Sequence, residues 1–368
     1  MWKSTEVARR LGLAAPIIQG PFGGGISSVD LVVAVCEAGG LGSFGVHHLD
    51  AKGIREVATR IRAGTSRPFA LNLWVPLDDA DDPQIDNATL ARNAKLLQPY
   101  FTELGLTAPP RPERFAPPYA EQIEAVIEAR PAVFSFVFGI PSQSILRRCR
   151  ELGIVTLGAA TTVDEAIALE HAGVDMIVAT GFEAGGHRVS FLRSAEESLF
   201  GTFSLVPQVV DAVRIPVIAA GGISDARGIA AALALGAHGV QIGTAFLACV
   251  ESNADATHRK MLFSPEARYT GLTRVFSGRL ARGIRNRLMD ELQAHEAQIP
   301  QYPIQNWFTG IMKKAAGEQE RSDLMSLWCG QAAPLLKHRD ARSLMAALIQ
   351  ETSLIISGTR TGNPLRDR

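Results

Sequence analysis

The residues best suited to chemistry lie in short glycine-rich or polar stretches, each directly behind an apolar run. These stretches cover residues 19–25, 44–45, 72–74, 180–188, 221–223 and 243–244. Because glycine has no Cβ, backbone N–H groups in such stretches can approach an anion or a flat ring closely. The pattern predicts a binding site for a small ligand that carries a phosphate, a planar ring, or both.

His187 is the strongest candidate for proton transfer, and it follows a Gly-Gly pair within residues 183–188. A neutral imidazole can accept or donate a proton near neutral pH, so we predict that His187 is catalytic. Two roles remain open for Arg188, namely contact with an anionic substrate or simple solvation. Glu183 is expected to brace the loop by accepting hydrogen bonds from backbone amides.

The other histidines and the cysteines do not predict a metal site. His47 and His48 are adjacent, but no cysteine or carboxylate accompanies them, so a partly exposed loop is the better interpretation. The four cysteines form no Cys-x-x-Cys pair, which favours buried thiols in a reducing compartment.

Eight short apolar runs must position these stretches. They lack period-two alternation, as parallel strands buried on both faces do, and they cover residues 16–19, 41–44, 69–73, 133–138, 154–157, 176–179, 216–220 and 240–242. Helical patterns lie between them, for example residues 163–172, which Thr161 or Thr162 can cap and Gly173 can end, and residues 225–235. Serial strand–helix units predict an α/β fold, a closed (β/α)8 TIM barrel, with an open doubly wound sheet as the alternative.

In such a barrel the strands' carboxyl ends form the active face, and the loops after strands seven and eight commonly bind phosphate. Here those loops contain Gly221-Gly222 and Gly243-Thr244. They predict a phosphate site. Glycines that merely turn the chain are the alternative, and some barrels of this kind bind purine nucleotides.

Two segments do not fit the repeat. Residues 76–119 form an insertion after the third strand that is acidic early, proline-rich late, and contains one predicted helix at 88–101. Either a lid or a surface excursion would explain such a length. Residues 264–368 follow the last unit, so we predict a barrel domain of residues 1–263 and a C-terminal helical extension of residues 264–368.

Composition excludes several classes of function. The 368 residues are 46% hydrophobic, and 37 Lys+Arg balance 37 Asp+Glu, so the chain has no general attraction to nucleic acid or anionic lipid. No apolar run has the length of a membrane span, and the first residues lack a secretory pattern. We expect a cytoplasmic enzyme.

Taken in order along the chain, these motifs resemble nitronate monooxygenases, once called 2-nitropropane dioxygenases. Five stretches carry the likeness, and residues 276–284 and 327–331 resemble the class I branch; the five are residues 16–21, 72–74, 183–188, 220–223 and 241–244. The resemblance implies oxidation of alkyl nitronates, such as propionate 3-nitronate, by dioxygen to a carbonyl compound and nitrite. It also implies non-covalent FMN, no metal, and His187 as the catalytic histidine; a homodimer is one expected assembly.

The same resemblance gives an expected set of flavin-binding residues on the active face. The set is Gln19, Gly20, Pro21, Phe22, Asn72, Thr180, Gly185, Gly221, Gly222, Gln241, Gly243 and Thr244. Three positions depart from the family, which usually has Gln at Thr180, often Gly at Val189 and commonly Met at Phe22. These departures predict a pocket that differs from those of the best-known members.

Three other functions compete with this interpretation. An FMN-dependent NAD(P)H reductase, similar to enoyl-acyl-carrier-protein or quinone reductases, is the nearest, because the enoyl reductase group shares the motif that ends in His187. A purine-nucleotide dehydrogenase would need a nucleophilic cysteine after the sixth strand, and none lies between Thr180 and Leu199. A non-catalytic flavin carrier or sensor would not need His187.

Overall fold

The computed structural model describes residues 2–76 and 85–358. Its strands are β1 (Ile17–Gln19), β2 (Gly42–Gly45), β3 (Phe69–Trp74), β4 (Val133–Val137), β5 (Val155–Ala160), β6 (Met176–Thr180), β7 (Gly186–His187), β8 (Val217–Ala220), β9 (Gly239–Ile242), β10 (Thr270–Thr273) and β11 (Ala281–Ile284). Eight of them pair in parallel in the order β1-β9-β8-β6-β5-β4-β3-β2. A parallel bridge between Ile18 and Leu41 joins the two ends of this sheet. The predicted (β/α)8 barrel is therefore confirmed, and all eight predicted strands lie within it.

The helices alternate with the barrel strands and then continue beyond them. They are α1 (Glu6–Leu11), α2 (Val29–Glu37), α3 (Ala51–Gly64), α4 (Asn87–Glu103), α5 (Tyr119–Ala129), α6 (Gln143–Glu151), α7 (Val163–His171), α8 (Thr202–Ala212), α9 (Ala226–Ala234), α10 (Thr244–Leu247), α11 (Ala256–Leu262), α12 (Arg287–Leu292), α13 (Ile304–Glu318) and α14 (Ala341–Ile356). Thr162 caps α7 as expected, since its side chain accepts from the Glu165 amide. Over the stretch of chain described, no helix has both the length and the apolar character to cross a membrane.

Alternate strand residues divide between two layers of the core. Val133 belongs to the cluster inside the barrel, whereas the next residue, Phe134, packs in the layer between strands and helices. Val7 and Leu11 of α1 join the interior cluster from the amino end of the chain. Because parallel strands are covered on both faces, both alternating positions are apolar, which explains the missing period-two pattern.

A second hydrophobic cluster joins the insertion after β3 to the segment that follows β9. Leu97 and Phe101 of α4 share it with Phe308 and Met312 of α13. Glu103 at the end of α4 also forms ion pairs with Arg287, at 2.6 Å, and with Arg321, at 3.0 Å. The predicted helix at 88–101 is confirmed and packs in this cluster; we call α4 and the part of the segment after β9 that packs with it the cap. The acidic residues at 78–82 lie outside the described part of the chain.

The segment after residue 263 contains strands as well as the expected helices. β10 and β11 form an antiparallel sheet with β7, in the order β10-β11-β7. These strands were not predicted, because they carry no apolar run and owe their pairing to each other and, for β11, to β7. At the other end, α14 packs against α9 and α2 in the ring of barrel helices. The division into domains at residue 263 stays a prediction.

Candidate active site

A cavity of about 660 Å³ opens at the carboxyl ends of the barrel strands. Its wall includes His187 and eleven of the twelve predicted flavin-binding residues: Gly20, Pro21, Phe22, Asn72, Thr180, Gly185, Gly221, Gly222, Gln241, Gly243 and Thr244. Val189 also lines it, so all three departures from the family lie in the wall of one cavity. The fold thus brings together residues that are spread over more than two hundred positions of sequence.

Gln19 is the one predicted residue that does not line the cavity. Its side chain is fully buried, its Nε2 donates to the carbonyl of Gly20, and its Oε1 accepts from the Ser43 amide at 2.9 Å. Those bonds fix the start of the loop after β1 against β2. Gln19 therefore positions the cavity wall from behind.

The turn after β8 needs glycine at two successive positions. Gly221 and Gly222 have φ values of 98° and 70°, a left-handed conformation that side chains with a Cβ seldom adopt. A Cβ on Gly221 would also lie 2.9 Å from the carbonyl oxygen of Gly181. The turn therefore exposes its backbone to the cavity at a point where larger residues do not fit.

Glu183 ties the loop after β6 to the start of α8. Its carboxylate accepts from the Thr202 amide at 2.9 Å and from the Thr202 hydroxyl at 2.8 Å, so it braces the loop as expected. The carbonyl of Glu183 accepts from the Gln331 amide, and the Thr244 hydroxyl accepts from the Gly330 amide at 3.0 Å. The segment around Gly330 and Gln331 thus packs against the loop after β6 and the start of α10, beside the glycine-rich loops.

Two features of the wall suit a ligand with a phosphate and a flat ring. The Oγ atom of Ser224, two residues beyond Gly222, is buried without a hydrogen-bond partner, although buried hydroxyls are normally paired. A Cβ built on Gly243 would meet only the Phe22 ring, at 4.0 Å, so this glycine faces open space. An orphaned hydroxyl beside a glycine-lined surface fits a phosphorylated, planar cofactor.

His187 is held in this wall by its backbone and by its ring. Residue 187 pairs with Ala281 where β7 meets β11, and its Nε2 lies 2.8 Å from the Ser277 hydroxyl. The centroids of the Trp74 and Trp328 rings lie 5.1 Å and 5.3 Å from that of the imidazole. Both indoles are cavity residues, so they shield the imidazole from bulk water.

The hydrogen bonds around Ser277 select one tautomer of His187. The Ser277 Oγ lies 3.2 Å from the Arg279 carbonyl, which can only accept, and 3.3 Å from the Arg279 amide, which can only donate. A hydroxyl has a single proton, so all three bonds are made only if Nε2 of His187 carries a proton and donates to Ser277. Nδ1 is then left as the proton acceptor.

The surroundings of His187 keep it uncharged. Burial, together with the positive charges of Arg279 and Lys313, lowers the pKa of His187 to about 3. The Arg279 guanidinium is fixed nearby, 4.0 Å above the Phe138 ring and 4.7 Å from that of Tyr302. Phe138 has a φ of 69°, a strained conformation that places its ring beneath this cation. His187 is therefore a neutral imidazole at physiological pH.

Arg188 adopts neither of its two expected roles. It is buried, and its guanidinium donates to the carbonyls of Gly181 at 2.8 Å and Thr180 at 3.0 Å. Arg188 therefore stabilises the loop after β6 through these two carbonyls, and its side chain contacts neither solvent nor the cavity.

Several wall residues were missed by the sequence analysis. His47 and His48 both line the cavity, and the His47 ring stacks on Trp74 with centroids 3.8 Å apart. Tyr302, Lys313 and Trp328 come from the segment after β9. Only the Gly-rich neighbourhood of the second strand signalled His47. Trp328 belongs to residues 327–331, which carry a family resemblance but gave it no site role, and Tyr302 and Lys313 have no local signature because packing between segments brings them to the barrel.

Comparisons with known proteins agree with this geometry. The sequence model of the nitronate monooxygenase family matches residues 6–351. A probable nitronate monooxygenase of Staphylococcus aureus is 40% identical over 358 residues, which are 97% of this chain and 99% of that protein.

Two solved structures extend the comparison to the fold. Nitroalkane oxidase from Streptomyces ansochromogenes is 35% identical, covers 96% of this chain and 99% of its own, and superposes with a TM-score of 0.87. FabK from Thermotoga maritima is 26% identical with a TM-score of 0.75, covering 97% of this chain and 98% of its own. The chain therefore belongs to the nitronate monooxygenase family, which makes it an oxidoreductase and implies a flavin cofactor.

Proposed function

We propose that this enzyme uses FMN to oxidise alkyl nitronates, such as propionate 3-nitronate, with dioxygen, and that it releases a carbonyl compound and nitrite. The observation that carries the proposal is the placement of a neutral His187 in the same cavity as the glycine-rich loops after β6, β8 and β9. Family membership supports the same reaction.

The residues of the cavity suit a flavin with a terminal phosphate, such as FMN. Gly222, Ser224, Gly243 and Thr244 would hold that phosphate, since they offer backbone amides and hydroxyl donors, while the nearby carboxylate of Glu183 is engaged with Thr202. Asn72, Thr180 and Gly185 would lie along its ring system. When bound, FMN supplies the redox chemistry, accepting electrons from the nitronate and returning them to dioxygen.

The low basicity of His187 favours a nitronate over a neutral nitroalkane as the substrate. A nitronate arrives already deprotonated at carbon, whereas a nitroalkane must first lose a carbon-bound proton to a base. An imidazole with a pKa of about 3 drives that proton transfer weakly. His187 then handles a proton that moves during turnover, while Trp74 and Trp328 exclude water from the reacting atoms.

Replacing Ser277 by alanine should lower kcat by about 10- to 100-fold, in the range typical for removal of a hydrogen bond that orients a functional histidine. The loss follows because Nε2 of His187 would have no partner, so neither its tautomer nor its ring orientation would be fixed. We expect the FMN content and KM to change little. Steady-state kinetics measure the first effect, and ¹⁵N NMR of the imidazole reports the tautomer; an unchanged kcat would contradict this role.

A reductase that uses NAD(P)H is the second candidate. It rests on the likeness of the His187 loop to that of enoyl-acyl-carrier-protein reductases and on the similarity to FabK over nearly the whole chain. The 40% identity to a probable nitronate monooxygenase is the higher of the two likenesses, so the oxidase is preferred.

Anaerobic mixing with each reductant distinguishes the two candidates. The purified holoenzyme is mixed with propionate 3-nitronate and, separately, with NADPH, and the flavin absorbance is followed. We expect bleaching by the nitronate and none by NADPH. Bleaching by NADPH alone would make the enzyme a reductase, and a purified protein without a flavin spectrum would overturn the proposal.

A further inference from the structure

One face of α13 forms a strip of the cavity wall outside the glycine-rich loops. Asn306, Gly310 and Lys313 all line the cavity, and their spacing of four and then three residues places them on one face of the helix. Tyr302, just before the helix, lines the cavity too, and its ring lies 5.0 Å from that of Trp74. The strip therefore begins near His187, and Lys313 on it is close enough for its charge to lower the pKa of that imidazole.

Lys313 carries a charge on this strip without an opposite charge beside it. Its Nζ donates to the Oδ1 of Asn306 at 2.8 Å, and no described ion pair includes Lys313. Burial lowers its pKa to about 8, so the ammonium is still largely protonated at neutral pH. A partly buried cation whose one described hydrogen-bond partner is a neutral amide is costly unless an anion joins it.

Within residues 2–76 and 85–358, no carboxylate supplies that anion. Two acidic residues of these ranges line the cavity, and both are engaged elsewhere. Glu183 accepts from Thr202, and Asp255 caps α11 by accepting from the His258 amide at 2.8 Å. The adjacent lysine, Lys314, is exposed and lies 4.0 Å from Glu318. Among the described residues, Lys313 is thus a cavity cation without a carboxylate partner.

Gly310 leaves room for the group that would pair with Lys313. No heavy atom lies within 4 Å of a Cβ built on it, and it faces the cavity from the interior of a helix. Glycine costs about 1 kcal/mol relative to alanine at such a position. The chain therefore has a helix-weakening residue where a side chain would otherwise occupy the space between Asn306 and Lys313.

We propose that Lys313 is a specificity-determining residue that binds a carboxylate at the far end of the nitronate substrate. Asn306 orients its ammonium, and Gly310 provides the space in which the carboxylate lies. This inference rests on the proposed oxidase function and assigns its substrate preference to residues of α13.

The test compares two preformed nitronates of equal carbon number, propionate 3-nitronate and propyl 1-nitronate, with wild type and Lys313→Met. Methionine keeps the length of the side chain and removes its charge. We expect the ratio of the two kcat/KM values to fall by about 100-fold, as for a buried charge pair that loses one partner. Lys95→Met, which removes an equal charge from an exposed position of α4 outside the cavity wall, should leave the ratio unchanged. An unchanged ratio in Lys313→Met, or an equal fall in both variants, would overturn the proposal.

Gly310→Ala provides a second test that does not weaken the helix. Alanine should keep or raise the melting temperature, yet its methyl group should lower kcat/KM for propionate 3-nitronate more than for propyl 1-nitronate. Equal effects on both substrates would contradict the placement of the carboxylate beside Gly310.

A binding measurement separates this inference from the oxidase function. The holoenzyme is titrated with 3-nitropropionate and with 1-nitropropane, and the fluorescence of the cavity tryptophans, Trp74 and Trp328, is followed. We expect tighter binding of 3-nitropropionate by wild type and loss of that preference in Lys313→Met. If wild type oxidises neither nitronate but keeps this preference, the oxidase proposal fails and the carboxylate site stands. Equal binding of both compounds by wild type would overturn the site.

Discussion

Replacement of His187 by alanine should lower nitronate turnover by about 10²- to 10⁴-fold, the range for loss of a general acid–base. The purified variant should still contain FMN, because the residues expected to hold the phosphate lie on the loops after β8 and β9 and not on β7. Steady-state kinetics with propionate 3-nitronate and the ratio of flavin to protein absorbance measure both effects.

His171→Ala is the matched control for this experiment. His171 ends α7 and is exposed, so its removal should change neither activity nor flavin content. In wild type, the imidazole of His187 stays deprotonated far below neutral pH because its pKa is about 3, so protonation of His187 should not lower the rate between about pH 7 and pH 5. Activity close to wild type in His187→Ala would refute the catalytic assignment.

Gly222→Asp should yield a protein without FMN. The turn at Gly222 borders the cavity beside the unpartnered Ser224 hydroxyl, where we place the phosphate, and an aspartate there would set a carboxylate against it. Two like charges in contact repel, so we expect flavin content to fall to about a tenth or less. Absorbance of the purified variant measures the flavin, and circular dichroism checks that the barrel has folded.

Gly222→Asn separates charge from backbone strain. Residue 222 has a φ of 70°, and asparagine and aspartate both tolerate this left-handed region better than other side chains do. The two variants therefore differ mainly in charge, and we expect the asparagine variant to retain most of its FMN. Full flavin content in Gly222→Asp would place the phosphate elsewhere.

The segment after β9 supplies more of the candidate site than its helical pattern suggests. It orients the His187 ring through Ser277, shields it with Trp328 and offers the cation of Lys313. We propose that the glycine-rich loops of the barrel hold the cofactor and that this segment contributes the side chains that meet a substrate. Substrate range should therefore vary with changes in the cap while cofactor binding is retained.

The sequence by itself determined the barrel and the cofactor side of the cavity. Strand formation depends on short buried apolar runs, and the turns between strand and helix depend on glycines such as Gly173 and Gly221. Both features can therefore be predicted from residues that are neighbours in the sequence. Parallel strands end at one face of a barrel, so His187 and the glycine loops could be placed together once the strands were found.

Only the tertiary structure decided which distant side chains complete the site. Ser277 and Trp328 occur in stretches whose family resemblance assigned them no place in the site, Lys313 has no distinctive pattern around it, and β11 joins the site by pairing with β7 as well as β10. Gln19 and Arg188, which local sequence placed on the active face, turn away from the cavity and satisfy backbone groups behind it. Such contacts join residues far apart in the chain, so their energies depend on packing between elements, which no local pattern of residue types encodes.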